Sequence, residues 1–153
     1  MLKIITMAVR EIKTYPDPVL RNKTARVETI DDTIQRLIED MVETMHAAPG
    51  VGLAANQVGV PLQVAVIDLS TREEQENRHP LLVLINPEII ERSGTLEIEE
   101  GCLSVPGVFD TPTARSEKIR VRALGRDDRR LAPRESESVA TAGLGVSVMG
   151  PSW

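Results

Sequence analysis

GVGLAANQ, residues 50–57, joins a predicted helix to a predicted strand and thereby decides which fold class the chain can adopt. The stretch satisfies the pattern G-x-G-x-x-G/A of dinucleotide-binding loops, but those loops follow a strand and open a helix. The order here is reversed, which argues against that class. The glycines favour a backbone that a ligand can approach closely, ending in the amide of Gln57, which can donate to an oxygen that becomes negative. A tight turn with a solvated Gln57 is the alternative.

The segment before this loop, residues 31–50, has the pattern of an amphipathic helix. Its apolar residues recur at the i, i+3, i+4, i+7 spacing of one helix face: Ile34, Leu37, Ile38, Met41, Val42 and Met45. Asp32 is expected to cap the start, with Gln35 three residues later, and Pro49-Gly50 to end the helix. We expect the apolar face to pack into the core.

After the loop the sequence changes to the short apolar runs that are typical of β-strands. Strands are predicted at 63–69, 81–87, 88–93, 95–100 and 117–124, with breaks at Pro87 and Gly94 and a solvated loop at 70–80. The last strand alternates apolar and basic residues, as expected of a strand with one buried face. The elements together predict an α+β fold, with a helix followed by antiparallel sheets.

Composition narrows the class of protein. A chain of 153 residues with 41% hydrophobic and 27% charged residues fits one globular domain. Its net charge of −5 offers no basic footprint for nucleic acid or for an anionic membrane. No stretch is long enough to cross a bilayer, and the apolar run in MLKIITMAV is too short for a secretory signal. We expect a cytoplasmic protein whose natural start is Met7.

The only cysteine, Cys102, lies in EGCLSVPG, residues 100–107. A single cysteine excludes an internal disulfide and is consistent with a reducing compartment. Lone cysteines are usually inert buried thiols. Gly101, however, lets the backbone bend and a ligand approach this one. Both the buried thiol and the metal-binding thiolate therefore stay open on this stretch alone.

Taken together, the two stretches closely resemble the peptide deformylases. The first motif of that family, G-x-G-x-A-A-x-Q, is present at residues 50–57, and the second, E-G-C-x-S, at residues 100–104. The similarity extends from about Val9 to Asp127 and includes YPDPVLR, INPEI and ARSEKIRVRAL. It implies a peptide-deformylase-like domain over residues 1–127, with antiparallel sheets around helices, followed by a divergent and irregular tail over 128–153.

The resemblance implies an activity and its partners. Peptide deformylases hydrolyse the formyl group from the N-terminal formyl-methionine of new bacterial and organellar proteins. Their metal, iron(II) or another divalent ion, is held by the cysteine of the second motif and two histidines of a third, H-E-x-x-H, whose glutamate shuttles a proton. Formyl-methionyl nascent peptides and the ribosome are the partners implied, in the bacterial cytoplasm.

Carried over residue by residue, the resemblance implies a role for seven positions. Cys102 is implied as the metal ligand, and Gln57 with the Leu103 N–H as donors to the oxyanion. The residues implied to bind the substrate backbone, its methionine side chain or the rest of the peptide are Val51, Gly52, Gly101 and Arg115.

The third motif is absent from the sequence. The chain has two histidines, His46 and His79, and neither has another histidine four residues away. We expect His46 to be a helix-end side chain and His79 a solvated loop residue. The family pattern stops near residue 125, which suggests a frameshift or gene decay and predicts that the H-E-x-x-H helix is missing. Finding no such motif in the other two reading frames would exclude the frameshift.

Three hypotheses follow. The chain is a peptide deformylase by ancestry that has lost two histidine ligands and the catalytic glutamate, and with them its activity and its metal. Alternatively, it is a non-catalytic module that binds formyl-methionyl peptides. In the third, it is a product that does not fold stably.

Overall fold

The computed structural model describes residues 8–68, 81–107 and 111–127. These residues form one α-helix, α1 (Asp32–Ala47), and six strands: β1 (Gly52–Ala54), β2 (Val64–Ile67), β3 (Leu82–Ser93), β4 (Leu96–Glu100), β5 (Thr111–Arg115) and β6 (Lys118–Leu124). Two short 3-10 helices lie at Pro18–Leu20 and Ala55–Val58. Among these residues, none of the helices has the length and apolar composition of a membrane span. The predictions for the loop at 70–80, for His79 and for the tail at 128–153 lie outside the described residues.

Two antiparallel sheets confirm the predicted α+β fold. One sheet has four strands in the order β1-β2-β3-β6, and the other is the β4–β5 hairpin. β2 is buried along its whole length, and its Ile67 and Ala65 pair with Gly52 and Ala54 of β1. The glycine-rich stretch predicted as a loop therefore contains an edge strand, and this strand places Gln57 directly after the sheet.

Helix α1 covers this sheet through the predicted apolar face. Its buried apolar residues pack with Leu53, Val64, Val66 and Ile85 of the strands: Ile34, Leu37, Ile38, Met41 and Met45. Val42, at the margin of the face, is only partly buried. The predicted core face is confirmed.

The helix begins one residue earlier than predicted. Asp31 is the N-cap, since its carboxylate accepts a hydrogen bond from the Ile34 N–H at 3.1 Å. Asp32 is the first helical residue, so the prediction that it caps the helix is wrong. Both are aspartates, and only the extended backbone at Asp31 makes it the cap.

Replacing Asp31 by alanine is expected to lower the free energy of unfolding by about 1 kcal/mol, because the Ile34 N–H loses its acceptor. Urea denaturation monitored by circular dichroism measures this change. The matched control is Asp32→Ala, which leaves the cap intact and removes only a first-turn charge. A larger loss in the Asp32 variant would restore Asp32 as the cap.

Strand β3 continues through Pro87, where a break was predicted, so that prediction is wrong. The pairing with β6 shifts register between Ile85 and Glu88, and Pro87 lies within this irregularity. A proline at a bulge removes no ladder hydrogen bond, because the residue there is not paired. The break at Gly94 is confirmed: this glycine has φ 68 and lies between β3 and β4.

Asn86, beside this bulge, attaches the N-terminal segment to the sheet. It has φ 51, and its buried side chain accepts from the Val27 N–H at 2.8 Å and donates to the Val27 carbonyl at 2.9 Å. Two backbone groups of an irregular segment are thereby satisfied inside the protein, as buried polar groups must be.

Polar contacts also attach both ends of the described chain to α1. The Arg10 guanidinium binds Asp40 at 2.8 Å, and the Arg10 N–H donates to the buried Thr44 hydroxyl at 2.8 Å. At the other end, Arg126 binds Glu39 and donates through Nε to the Gln35 side chain at 3.1 Å. Helix α1 is thus the element on which residues from both ends converge.

Candidate functional site

Gln57 is buried and held at a fixed orientation. It belongs to the 3-10 turn Ala55–Val58 that follows β1, and it is 1% exposed. Its Oε1 accepts from the Ala54 N–H at 3.0 Å, and its Nε2 donates to the Ser104 Oγ at 3.1 Å. The alternative of a solvated glutamine in a turn is therefore wrong.

The two sequence motifs meet at this side chain. The Sγ of Cys102 lies 4.0 Å from Gln57 Nε2, at the long limit for a hydrogen bond to sulfur. Cys102 is half-buried, and its carbonyl accepts from the Val105 N–H at 3.0 Å in a turn. Gln57 and Cys102 are thus neighbours in the fold, whereas in the sequence only the resemblance had linked them.

Gly50, in the first motif, leaves room for the side chain of Leu103, in the second. A Cβ added at this position would lie 2.9 Å from Cδ1 of Leu103, which itself packs against the core. Within the described residues the Leu103 N–H donates to no acceptor. The Leu103 side chain therefore packs against the core, and its backbone N–H has no acceptor among the described residues.

The N-terminal segment supports the site from a third direction. The Lys13 N–H donates to the Gln57 carbonyl at 2.7 Å, and the Tyr15 N–H donates to the Ser104 carbonyl at 2.8 Å. Sequence reasoning missed Lys13, Tyr15 and Ser104. Ser104 is the last residue of the second motif, E-G-C-x-S, and that motif could have indicated it as a site residue. Lys13 and Tyr15 contribute backbone atoms only, which no side-chain pattern reveals.

The remaining predicted site residues lie at the margins of these elements. Val51 precedes β1, and its carbonyl accepts from the Asp68 N–H at 2.8 Å. Gly52 opens β1, and the exposed Gly101 follows β4. Arg115 ends β5, half-buried and opposite Leu96 of β4. Their roles in binding substrate stay predictions.

The described residues do not fit a catalytic metal ion. No group of three histidine, cysteine, aspartate or glutamate side chains lies close enough together in this part of the chain to hold one. His46, near the end of α1 as predicted, instead places Nε2 2.8 Å from the Asp68 carboxylate. Catalytic zinc sites, for example, normally take three protein ligands. Cys102 is one thiol without such partners among the described residues.

The fold is an antiparallel sheet covered by a helix, and the first strand of the sheet leads to a buried glutamine beside a cysteine. Solved structures contain this α+β arrangement. The structure of a peptide deformylase from Legionella pneumophila matches with a TM-score of 0.74 at 44% identity, covering 84% of this chain and 73% of that one. The peptide deformylase of Ehrlichia chaffeensis in complex with actinonin matches with a TM-score of 0.75 at 39% identity, covering 82% and 73%.

Sequence comparison identifies the family. A sequence model described as polypeptide deformylase matches residues 9–141. The peptide deformylase of Syntrophobacter fumaroxidans is 50% identical over 125 residues, which are 82% of this chain and 71% of the relative. The chain belongs to the polypeptide deformylase family.

Proposed function

We propose that this chain retains the part of a peptide deformylase that receives the formyl-methionyl end of a nascent peptide and lacks the part that hydrolyses it. The family reaction is the metal-dependent removal of an N-terminal formyl group. The observation that carries the proposal is the contrast within the described residues. Gln57, Ser104 and Cys102 are brought together, whereas a set of metal ligands around Cys102 is not.

Two donors support the binding half. A glutamine amide has two N–H groups: Ser104 accepts one from Gln57, and the other faces Cys102 Sγ across 4.0 Å, a contact long enough for a ligand oxygen to replace. The Leu103 N–H, which donates to no acceptor among the described residues, supplies another. Paired donors of this kind bind a carbonyl oxygen and stabilise it as it becomes negative. We assign Gln57 and Leu103 to the formyl oxygen, with Val51, Gly52, Gly101 and Arg115 around the peptide.

The groups that would hydrolyse the formyl bond are missing from the sequence as well as from the described residues. No H-E-x-x-H occurs in the 153 residues, so the chain offers neither the histidine pair nor the glutamate that would accompany Cys102. One thiolate does not retain iron(II) or another divalent ion against solvent, because such sites need several ligands. We therefore propose that this chain binds no catalytic metal and has little or no deformylase activity.

The domain organisation and the cellular setting complete the proposal. Residues 1–127 would form the deformylase-like domain and residues 128–153 a divergent tail. The protein would act in the bacterial cytoplasm on formyl-methionyl nascent peptides, where the ribosome is its further partner.

The proposal predicts that Cys102→Ala changes little. Metal content after incubation with iron(II) without oxygen, and formate release from a formyl-methionyl tripeptide, should each change by less than about twofold, because no complete site exists to lose. The deformylase of Legionella pneumophila serves as the active control under the same conditions. A loss of about tenfold or more on Cys102→Ala would show that a working metal site exists, and the proposed lack of activity would be wrong.

Peptide binding separates the proposed function from the other hypotheses. Titration calorimetry with the same formyl-methionyl tripeptide should show binding without turnover, and the unformylated peptide should bind more weakly. An expanded chain with lost near-ultraviolet dichroism would instead support the unstable product.

A further inference from the structure

We propose that Ser104 is a positioning residue, which fixes the amide of Gln57 so that its second N–H faces Cys102. The functional meaning of this orientation rests on the proposed function, in which Gln57 donates to a formyl oxygen. The orientation itself does not depend on that function, and it can be tested without any ligand.

The partners of Gln57 determine which end of its amide faces Cys102. Oxygen and nitrogen of a glutamine amide are assigned from hydrogen-bond partners, and a backbone N–H can bond only to the oxygen. The Ala54 N–H lies 3.0 Å from Oε1, so Nε2 occupies the opposite position, 3.1 Å from Ser104 Oγ and 4.0 Å from Cys102 Sγ. Rotating the amide by half a turn would bring two N–H groups together at Ala54.

Ser104 can hold the Gln57 side chain in one orientation because Ser104 is itself fixed by its surroundings. It is 1% exposed, and its carbonyl accepts from the Tyr15 N–H at 2.8 Å. The carbonyl of Gln57 is held in the same manner by the Lys13 N–H at 2.7 Å. The N-terminal segment therefore holds the backbones of Gln57 and Ser104, and the side chains of these two residues are hydrogen-bonded to each other.

The hydroxyl accounts for one of the two N–H groups of Nε2, and this leaves the other directed away from Ser104. Without Oγ, Nε2 would lose its one close oxygen acceptor and keep only the long contact to sulfur. The side chain would then retain a single strong anchor, at Oε1, about which the amide can rotate. A hydroxyl that merely fills space would have no such effect on Gln57.

Nuclear magnetic resonance of the Gln57 side-chain amide in the full chain tests this role. In the unmodified protein the Nε2 group should have an order parameter of about 0.85, as rigid groups do. Ser104→Ala should lower it below about 0.6 and accelerate exchange of the amide hydrogens by about tenfold. Ser104→Thr, which keeps the hydroxyl, should remain within about threefold of the unmodified exchange rate.

Ser116→Ala is the matched control, since this half-buried serine lies between β5 and β6 and should leave Gln57 unchanged. An unchanged order parameter and exchange rate in Ser104→Ala would overturn the proposal. If that variant does not fold, an order parameter below about 0.6 in the unmodified chain would overturn it equally, and a rigid Gln57 would support it. A rigid Gln57 in a chain that binds no formyl-methionyl peptide would refute the proposed function and leave the positioning role intact.

Discussion

Replacing Ile38 by alanine is expected to lower the free energy of unfolding by about 2–5 kcal/mol. Ile38 is 0% exposed and lies in the middle of the apolar face that α1 packs against the sheet. The variant loses the transfer free energy of the removed carbons and leaves a cavity that the surrounding side chains fill only in part. A domain of this size has about 5–15 kcal/mol of stability in total, so the loss would be a large fraction of it.

Urea denaturation of two further variants gives this result its controls. Ile38→Val removes one methyl group and should cost about 0.5–1.5 kcal/mol, whereas the exposed Arg36→Ala should stay within about 0.5 kcal/mol of the parent. If Ile38→Ala were no more destabilising than Arg36→Ala, the packing of α1 on β1 and β2 would be incorrect.

Replacing Asn86 by alanine is expected to cost about 3 kcal/mol, because it leaves the Val27 N–H and carbonyl without their partner. Both bonds lie in the interior, and a buried group left unpaired costs about 1–3 kcal/mol. Alanine also tolerates the observed φ of 51 less well than asparagine does. Thermal and urea unfolding both report the loss.

Asn86→Gly separates the two causes in this prediction. Glycine accepts the positive φ without strain but lacks the amide. A loss in this variant beyond the roughly 0.5–1 kcal/mol that glycine costs in chain entropy therefore belongs to the hydrogen bonds with Val27. The exposed Asn22→Ala tests whether an asparagine on the surface matters at all. Stability of Asn86→Ala within about 0.5 kcal/mol of the parent would mean that the two bonds contribute nothing.

The helix and its buried face were predictable because they depend on a repeat within one segment. Every residue from Ile34 to Met45 on that face shows the spacing in the sequence itself. Two neighbouring acids competed for the N-cap, however, and both are good caps by residue type. Only the backbone conformation at Asp31 decides between them, and a pattern of residue types does not contain it.

Pro87 shows where a local rule fails because a neighbouring strand matters. A proline inside an apolar run is normally a reason to end a strand. Here the shift of register between β3 and β6 leaves Pro87 outside the ladder, so the strand continues to Ser93. The bulge exists only once β6 pairs with β3, and the two strands are separate segments of the sequence.

The site was predictable only in part, for a similar reason. Gln57 and Cys102 could be linked through two motifs of one family, and the structure brings them to 4.0 Å. The support from Lys13 and Tyr15 consists of backbone N–H groups, which every residue except proline possesses. Such contacts follow from how distant segments meet, and residue type carries no information about them.

The bond between Gln57 and Ser104 has a consequence for the newly made chain. The two residues are 47 positions apart, and translation adds about 5–20 residues per second. Gln57 therefore exists for about 2 to 10 seconds before Ser104 has been added. During that interval helix α1, which depends on local contacts, can already form. The Gln57 amide, by contrast, does not yet have the Ser104 hydroxyl as its acceptor. The side-chain amide of Gln57 can thus take up its final orientation only after residue 104 has been made.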